Sequence, residues 1–119
     1  MFSSLSFGEW ELVYVGGNIT LYWDRDNVRT SGGLVYWYAM QDLGGIKGPD
    51  GSASMKWYRE SNCQRLSSKD LNFTIYVQAM AKGKQNYTIP YEDSEVRYPE
   101  PEDPWYVVLS SVCDYVNSN

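Results

Sequence analysis

Apolar and polar residues alternate along most of the chain, and short glycine-containing segments interrupt the alternation. The segments WELVYV (10–15) and ITLYW (19–23) flank the glycine-rich residues 16–18, which is typical of a tight β-hairpin. A second hairpin is indicated where the turn residues 31–33 are followed by the long run LVYWYAMQDL (34–43).

Three further alternating segments follow the most loop-like part of the chain, residues 44–52, which contains four glycines and a Pro-Asp-Gly turn. These segments are 52–66, 71–80 and 84–90, and the last two are joined by a turn around 82–83. Six strands with mostly short connections predict an antiparallel meander.

A short helix is predicted near the C-terminus, after a connector that fits neither strand nor helix. The connector, 91–103, is acidic and proline-rich. Asp103 suits the N-cap and Pro104 the first position of a helix over 104–116. Its apolar residues recur at helical spacing and form one stripe, made of Trp105, Val108, Leu109, Val112, Cys113 and Val116. We therefore predict a single α+β domain, in which this helix packs on one face of a six-stranded antiparallel sheet and residues 1–9 are flexible.

The negative charge of the chain is concentrated in one segment. The net charge is −5, and residues 92–103 hold six of the 15 acidic residues but one of the 10 basic residues. The rest of the chain is neutral, so no surface for nucleic acid is predicted. The chain has no histidine, which excludes Ser-His and Cys-His nucleophilic pairs and the commonest ligand of zinc and haem. We expect no catalytic residues, no metal site and no cofactor.

The chain has two cysteines, Cys63 and Cys113, and both lie on apolar sides of their elements. Cys113 belongs to the helix stripe. In the strand that ends near Cys63, the same face carries Trp57 and Ser61, with Arg59 as its charged member. A helix docked across this face would bring the thiols together, which favours a disulfide over two separate buried thiols. A disulfide places the protein outside the cytosol.

No apolar run reaches the roughly 18 residues that a membrane span requires. The segment MFSSLSFGEW lacks the charged and apolar regions of a signal peptide. Because the predicted disulfide needs an oxidising compartment, we expect a leader to have been removed, and a lipid anchor on the native chain is compatible with this expectation.

Tyrosines on the face away from the helix are the best candidates for partner binding. Tyr36 and Tyr38 alternate with the core set of their strand, and Tyr58 points away from the helix together with Lys56 and Glu60. Tyrosine is favoured at protein interfaces because it buries a large area and ends in a hydrogen-bonding group. An ordinary wet sheet face and the seam of a homodimer are the alternative interpretations.

Lys82 and Lys84 flank Gly83 in the last predicted hairpin. They indicate a basic loop that contacts a protein ligand. The alternative interpretation is a hairpin whose lysines only increase solubility.

Several segments share their order and spacing with a known family. They are WELVYV and LYWD, VRTSGGLVYWY, ESNC leading into QRL, Gly83, and PWYVVLSSVC. In these segments, from about Trp10 to Val116, the chain resembles the surface-adhesin protein E family of bacterial cell-envelope proteins. The resemblance implies a six-stranded antiparallel sheet whose C-terminal helix is tethered by a disulfide.

The resemblance also implies a non-enzymatic adhesin that recognises a host matrix protein, such as vitronectin or laminin, or another macromolecule. It implies a location in the periplasm or on the outer surface of a Gram-negative bacterium. Some members bind haem, but the absence of histidine argues against conventional haem ligation here. The alternative function is a periplasmic small-ligand-binding or enzyme-inhibitor module with a groove between helix and sheet.

Overall fold

The structure is a computed structural model that describes residues 10–17, 19–44, 48, 51–90 and 95–118, with the main chain alone for 86–90. The predicted flexible segment 1–9 lies outside the described residues. Residues 91–94 of the predicted connector also lie outside them.

Within the described residues, seven strands and one helix follow one another along the chain. They are β1 (Trp10–Gly16), β2 (Ile19–Asp24), β3 (Arg29–Ser31), β4 (Leu34–Asp42), β5 (Ser54–Asn62), β6 (Ser67–Gln78), β7 (Lys82–Pro90) and α1 (Pro104–Ser118). The strands pair antiparallel in the order β1-β2-β4-β5-β6-β7, and β3 pairs with β4. The predicted antiparallel sheet with a C-terminal helix is confirmed, and β3 is added to it.

The added strand β3 shares one edge of β4 with β2. Strand β2 pairs with residues 39–42 of β4, and β3 pairs with residues 34–36. Between the two strands, the Asp24 carboxylate closes a single 3-10 turn by accepting hydrogen bonds from the Asp26 amide (3.0 Å) and the Asn27 side chain (2.7 Å). Three residues are too few to show alternation, which is why this strand is not evident from the sequence.

The helix α1 is capped by Asp103, whose carboxylate accepts a hydrogen bond from the Trp105 amide at 2.9 Å. It ends at Ser118, two residues beyond the predicted end. Its apolar stripe packs against the sheet, and the buried cluster at this contact contains Leu21, Trp23, Val35, Trp37, Ala39, Val108, Leu109, Val112 and Cys113. This cluster therefore lies between α1 and one face of the sheet. Within the described residues, no helix has the length and hydropathy that crossing a bilayer requires.

A disulfide joins Cys63, directly after β5, to Cys113 in α1, with the two Cα atoms 5.6 Å apart. The predicted pairing is confirmed. A turn positions Cys63, because Asn62 Oδ1 accepts hydrogen bonds from the amides of Gln64 (3.0 Å) and Arg65 (3.1 Å). This turn reverses the chain between β5 and β6, next to the covalent link with the helix.

Arg59, the charged member of the helix-facing side of β5, is held by one carboxylate and three aromatic rings. Its Nε donates to Asp70 Oδ1 at 2.7 Å, and its guanidinium carbon lies 4.1 Å from the centre of the Trp105 ring. The same carbon lies 5.2 Å from the ring centre of Trp57 and 5.9 Å from that of Trp37. Burial lowers the pKa of Arg59, while the negative charge of Asp70 opposes that shift. The ion pair and the cation–π contacts allow a charge to lie under the helix and fix its first turn.

The described part of the acidic connector, 95–103, is fastened to the sheet. The amide of Ser68 donates to the Arg97 carbonyl at 2.9 Å, and the amide of Arg97 donates to the Ser68 carbonyl at 2.8 Å. Strand β7 pairs with residues 72–78 of β6, so the connector continues the pairing of β6 beyond β7. The connector thereby lies along the same edge of β6 as β7 before the chain enters α1.

Replacing both cysteines by serine (Cys63→Ser with Cys113→Ser) should lower the free energy of unfolding by about 4 kcal/mol, because the disulfide spans 50 residues of sequence. Urea denaturation followed by far-UV circular dichroism measures the difference. The wild type in reductant is the matched control and should unfold like the variant. An unchanged denaturation midpoint would show that the disulfide does not hold the helix.

Asp70→Asn should lower the free energy of unfolding by about 3 kcal/mol, because it leaves the largely buried Arg59 guanidinium (11% exposed) without its carboxylate. Glu11→Gln is the matched control, since it breaks the Arg25–Glu11 pair (3.1 Å), whose side chains are 47% and 39% exposed. That exposed pair should contribute less than about 1 kcal/mol. Equal losses in the two variants, measured by urea denaturation, would contradict the role assigned to Arg59.

Candidate functional site

Three tyrosines meet on the sheet face opposite α1. The register of β4 and β5 places Tyr38 opposite Tyr58, and Tyr36 opposite Glu60. The ring centres of Tyr38 and Tyr58 are 4.6 Å apart, and those of Tyr36 and Tyr58 are 6.3 Å apart. The three predicted residues therefore form one partly exposed group, called here the tyrosine cluster.

Arg29 joins this cluster from β3, where the register places it opposite Tyr36. Its guanidinium carbon lies 4.5 Å from the centre of the Tyr36 ring, and its Nη2 donates a hydrogen bond to the Tyr58 hydroxyl at 3.1 Å. The Tyr36 hydroxyl donates to Glu60 at 2.9 Å. The hydrogen bond to Glu60 raises the pKa of Tyr36, and the hydrogen bond to Tyr58 raises that of Arg29, so both shifts favour the neutral phenol and the charged guanidinium. The cluster thus presents aromatic rings, hydroxyls and the positive charge of Arg29, with the Glu60 carboxylate beside Tyr36.

A groove of about 970 Å³ adjoins the tyrosine cluster and shares Tyr38 with it. Its walls come from distant parts of the chain: Trp10, Asp24, Asn27, Tyr38, Lys56, Tyr76, Met80, Ala81, Lys82, Gly83 and Gln85. Trp10 belongs to the first strand and Gln85 to the last, so the sheet curves until its two edges face each other across the groove. The predicted alternative places a groove between helix and sheet, whereas this one lies on the opposite face.

Lys56 lies in this groove between two tyrosine rings. Its Nζ is 5.1 Å from the centre of the Tyr38 ring and 5.5 Å from that of Tyr76. Asp24 also lines the groove, but its carboxylate is almost fully buried and is engaged by the turn that follows β2. Burial raises the pKa of Asp24, and the hydrogen bond from Asn27 and the charge of Lys56 act in the opposite direction.

The rim of the groove is built by the turn between β6 and β7, which is Ala79–Ala81 and so precedes the predicted position around Gly83. Met80 and Ala81 have positive φ angles of 60° and 55°, an uncommon conformation for residues other than glycine. Ser54 holds this turn, since its hydroxyl donates to the Gln78 carbonyl (2.7 Å) and accepts from the Ala81 amide (2.8 Å). These bonds connect the rim to β5, far away in sequence.

The structure separates the two predicted lysines. Lys82 lines the groove, whereas Lys84 is exposed on the same strand and is not part of the lining. Lys56 and Arg29 are the cations that sequence reasoning did not select. The sequence does carry a signal for Lys56, because this residue lies two positions before Tyr58 in the same strand and therefore shares its face. Arg29 has no comparable signal, because its position depends on the register of a three-residue strand.

A smaller cavity of about 470 Å³ lies on the helix side, where the connector, β5, β6 and the start of α1 meet. Its charged lining residues are Arg59, Asp70, Arg97, Glu100 and Asp103. Two of the three carboxylates already have partners, since Asp70 binds Arg59 and Asp103 caps α1. Within the described residues, no group of three or more histidine, cysteine, aspartate or glutamate side chains is arranged to hold a metal ion.

The fold is similar to solved structures of Haemophilus influenzae protein E. One superposes with a TM-score of 0.69 at 14% sequence identity, covering 98% of this chain and 91% of that chain. A structure of crystal form II gives a TM-score of 0.67 at 15% identity, with 93% and 91% covered. The structure from non-typeable Haemophilus influenzae gives 0.64 at 14% identity, with 98% and 82% covered. At these identities the likeness establishes the fold.

No curated protein sequence matches the chain significantly. The family model described as surface-adhesin protein E matches residues 10–114, which is most of the chain. The match begins at the first residue of β1 and extends past the disulfide-bonded Cys113 in α1. The chain therefore belongs to the surface-adhesin protein E family.

Proposed function

We propose that this surface adhesin binds a host extracellular matrix protein through the tyrosine cluster and the adjoining groove. The observation that carries the proposal is the meeting of Tyr36, Tyr38, Tyr58 and Arg29 on the one sheet face that α1 does not cover. Vitronectin and laminin, which the resemblance implies as ligands, are the partners to test. Membership in an adhesin family supports recognition of a host protein.

The composition of this face supports protein binding. Tyrosine, tryptophan and arginine dominate the residues that carry most of the binding energy at protein interfaces. In the tyrosine cluster these side chains are already ordered, because Arg29 bonds to Tyr58 and Tyr36 bonds to Glu60 before any ligand arrives. Groups that are held in place lose less side-chain entropy on binding, which favours affinity.

The lysines support a contribution from charge. Lys82 lies on the groove wall, while Lys84 is on the same strand outside the groove. We propose that Lys82 contacts the ligand and that Lys84 adds only long-range attraction. Such attraction accelerates association and is screened by salt.

We propose that the protein acts by binding rather than by catalysis, in the periplasm or on the outer surface of a Gram-negative bacterium. Family membership supports a surface location. The disulfide between Cys63 and Cys113 supports an oxidising compartment.

Tyr58→Ala should weaken binding to immobilised vitronectin or laminin by about tenfold or more, because Tyr58 contacts both other tyrosines and Arg29. Surface plasmon resonance with the oxidised protein measures the change. The matched control is Tyr98→Ala, which removes an exposed tyrosine from the connector and should leave the affinity within about twofold. Equal affinities for Tyr58→Ala and wild type would exclude the tyrosine cluster from the binding site.

The homodimer alternative predicts a different result for the same variant. If the tyrosine cluster is the seam of a dimer, sedimentation velocity should show a wild-type dimer that Tyr58→Ala converts to a monomer. A monomeric wild type whose matrix binding depends on Tyr58 supports the proposed function instead.

Matrix binding should also weaken as the salt concentration rises, and Lys82→Ala should reduce this salt dependence more than Lys84→Ala does. The dissociation constant measured at several NaCl concentrations tests this expectation. Binding that does not respond to salt, or that depends more on Lys84 than on Lys82, would show that the groove wall is not part of the interface.

A further inference from the structure

We infer that the groove beside the tyrosine cluster binds an acidic peptide segment, with a glutamate or aspartate carboxylate of the ligand seated on Lys56. The inference rests on the proposed function, because it names the part of the protein ligand that enters the groove. It is carried by the position of Lys56 between the rings of Tyr38 and Tyr76 and by the chemistry of the groove walls.

Lys56 has its positive charge available for a ligand. Among the described residues, the ion pairs are Arg25–Glu11 and Arg59–Asp70, so no carboxylate lies within ion-pair distance of Lys56. Two aromatic faces hold its ammonium by cation–π attraction, which orients the group without using its three N–H donors in hydrogen bonds. A carboxylate that enters the groove can therefore accept hydrogen bonds from a charge that is already in position.

The protein's own carboxylates around the groove do not occupy Lys56, because they accept hydrogen bonds from other groups. Asp24, which lines the groove, is close enough to Lys56 for the charge of the lysine to act on its pKa, but it is almost fully buried and accepts its hydrogen bonds from the Asp26 amide and from Asn27. Asp42, below the rim, accepts from the Met80 amide at 3.4 Å. The described lining residues include two lysines and one carboxylate, so this described part of the groove is locally positive although the whole chain has a net charge of −5.

Two acidic residues in the described part of the connector, Glu100 and Asp103, face away from the groove. Glu100 and Asp103 line the smaller cavity together with Trp57 and Arg59, which belong to the helix side of β5. The negative charge of these connector residues is thereby kept on the opposite side of the sheet from Lys56. This separation of charge favours an acidic ligand at the groove over a basic one.

The groove walls favour a peptide over a small free anion. The rings of Trp10, Tyr38 and Tyr76 and the side chain of Met80 supply apolar surface on which neighbouring ligand side chains can pack. On one wall runs β7, which ends the order of strands in the described sheet. An edge strand offers unpaired main-chain groups to an extended peptide, so main-chain hydrogen bonds and the Lys56 contact can form together.

The experiment uses the full oxidised chain and a fluorescein-labelled peptide of six glutamates followed by one tyrosine. Fluorescence anisotropy at low salt should show saturable binding. The same peptide with glutamines in place of the glutamates should bind at least about tenfold more weakly. Lys56→Met, which keeps the aliphatic stem but removes the charge, should weaken binding about tenfold. Lys82→Gln should weaken it about threefold, and the matched control Lys84→Gln should change it by less than about twofold.

Four results would overturn the inference: no saturable binding up to about 1 mM peptide, equal binding of the glutamine peptide, wild-type affinity in Lys56→Met, or Lys56-dependent binding of a sulfated oligosaccharide in place of the peptide. Circular dichroism and thermal unfolding check that Lys56→Met folds. If it does not, Lys82→Glu takes its place, because the side chain is exposed, and its charge reversal should abolish peptide binding.

Tyr36→Ala separates this inference from the proposed function. Tyr36 belongs to the tyrosine cluster, but the contacts described above join it to Tyr58, Arg29 and Glu60, none of which lines the groove, so this variant should keep the glutamate peptide while it loses affinity for vitronectin or laminin. Matrix binding that depends on Tyr36, without any binding of the peptide, would overturn the groove assignment alone. If the wild type binds neither the peptide nor the matrix proteins, the proposed function is overturned as well.

Discussion

The architecture depends on how one short helix is held against one face of the sheet. Near its start, Trp105 lies on the guanidinium of Arg59, and further along Cys113 is bonded to Cys63. Between these two attachments, the apolar stripe of α1 buries the tryptophans of β2 and β4. Within the described residues no second helix covers the other face, and the tyrosines gather there. The core and the candidate binding face are therefore two sides of the same strands.

The alternation of residues was sufficient to predict which face each tyrosine occupies. Tyr36, Tyr38 and Tyr58 all lie on the predicted side, because the side chains of a strand alternate with a period of two. Alternation does not indicate which residue of the next strand lies opposite, since that depends on register and on turn geometry. The contacts of Arg29 with Tyr36 and Tyr58 follow from register alone, so sequence reasoning could not select Arg29.

The last hairpin shows a second reason for the difference between prediction and structure. Gly83 suggested a turn at its own position, yet the chain reverses at Ala79–Ala81, where Met80 and Ala81 adopt positive φ angles. This turn is stabilised by Ser54, which comes from a strand more than twenty residues earlier. Gly83 also has a positive φ angle (80°), in the irregular pairing just after the turn, but the hydrogen bonds between distant residues place the chain reversal before it. The same bonds shape the rim of the groove. The groove could be recognised only from the folded chain.

The position of β5 has a mechanical consequence for an adhesin. This strand presents Lys56 and Tyr58 on one side and Arg59 on the other, and it runs directly into the disulfide at Cys63. It is hydrogen-bonded along nearly its whole length to β4 and to β6. A partner bound at the proposed site would pull on Tyr58, and two strand interfaces would share that force. The strand that carries Tyr58 is thus held by hydrogen bonds on both sides and by a covalent link directly after its end.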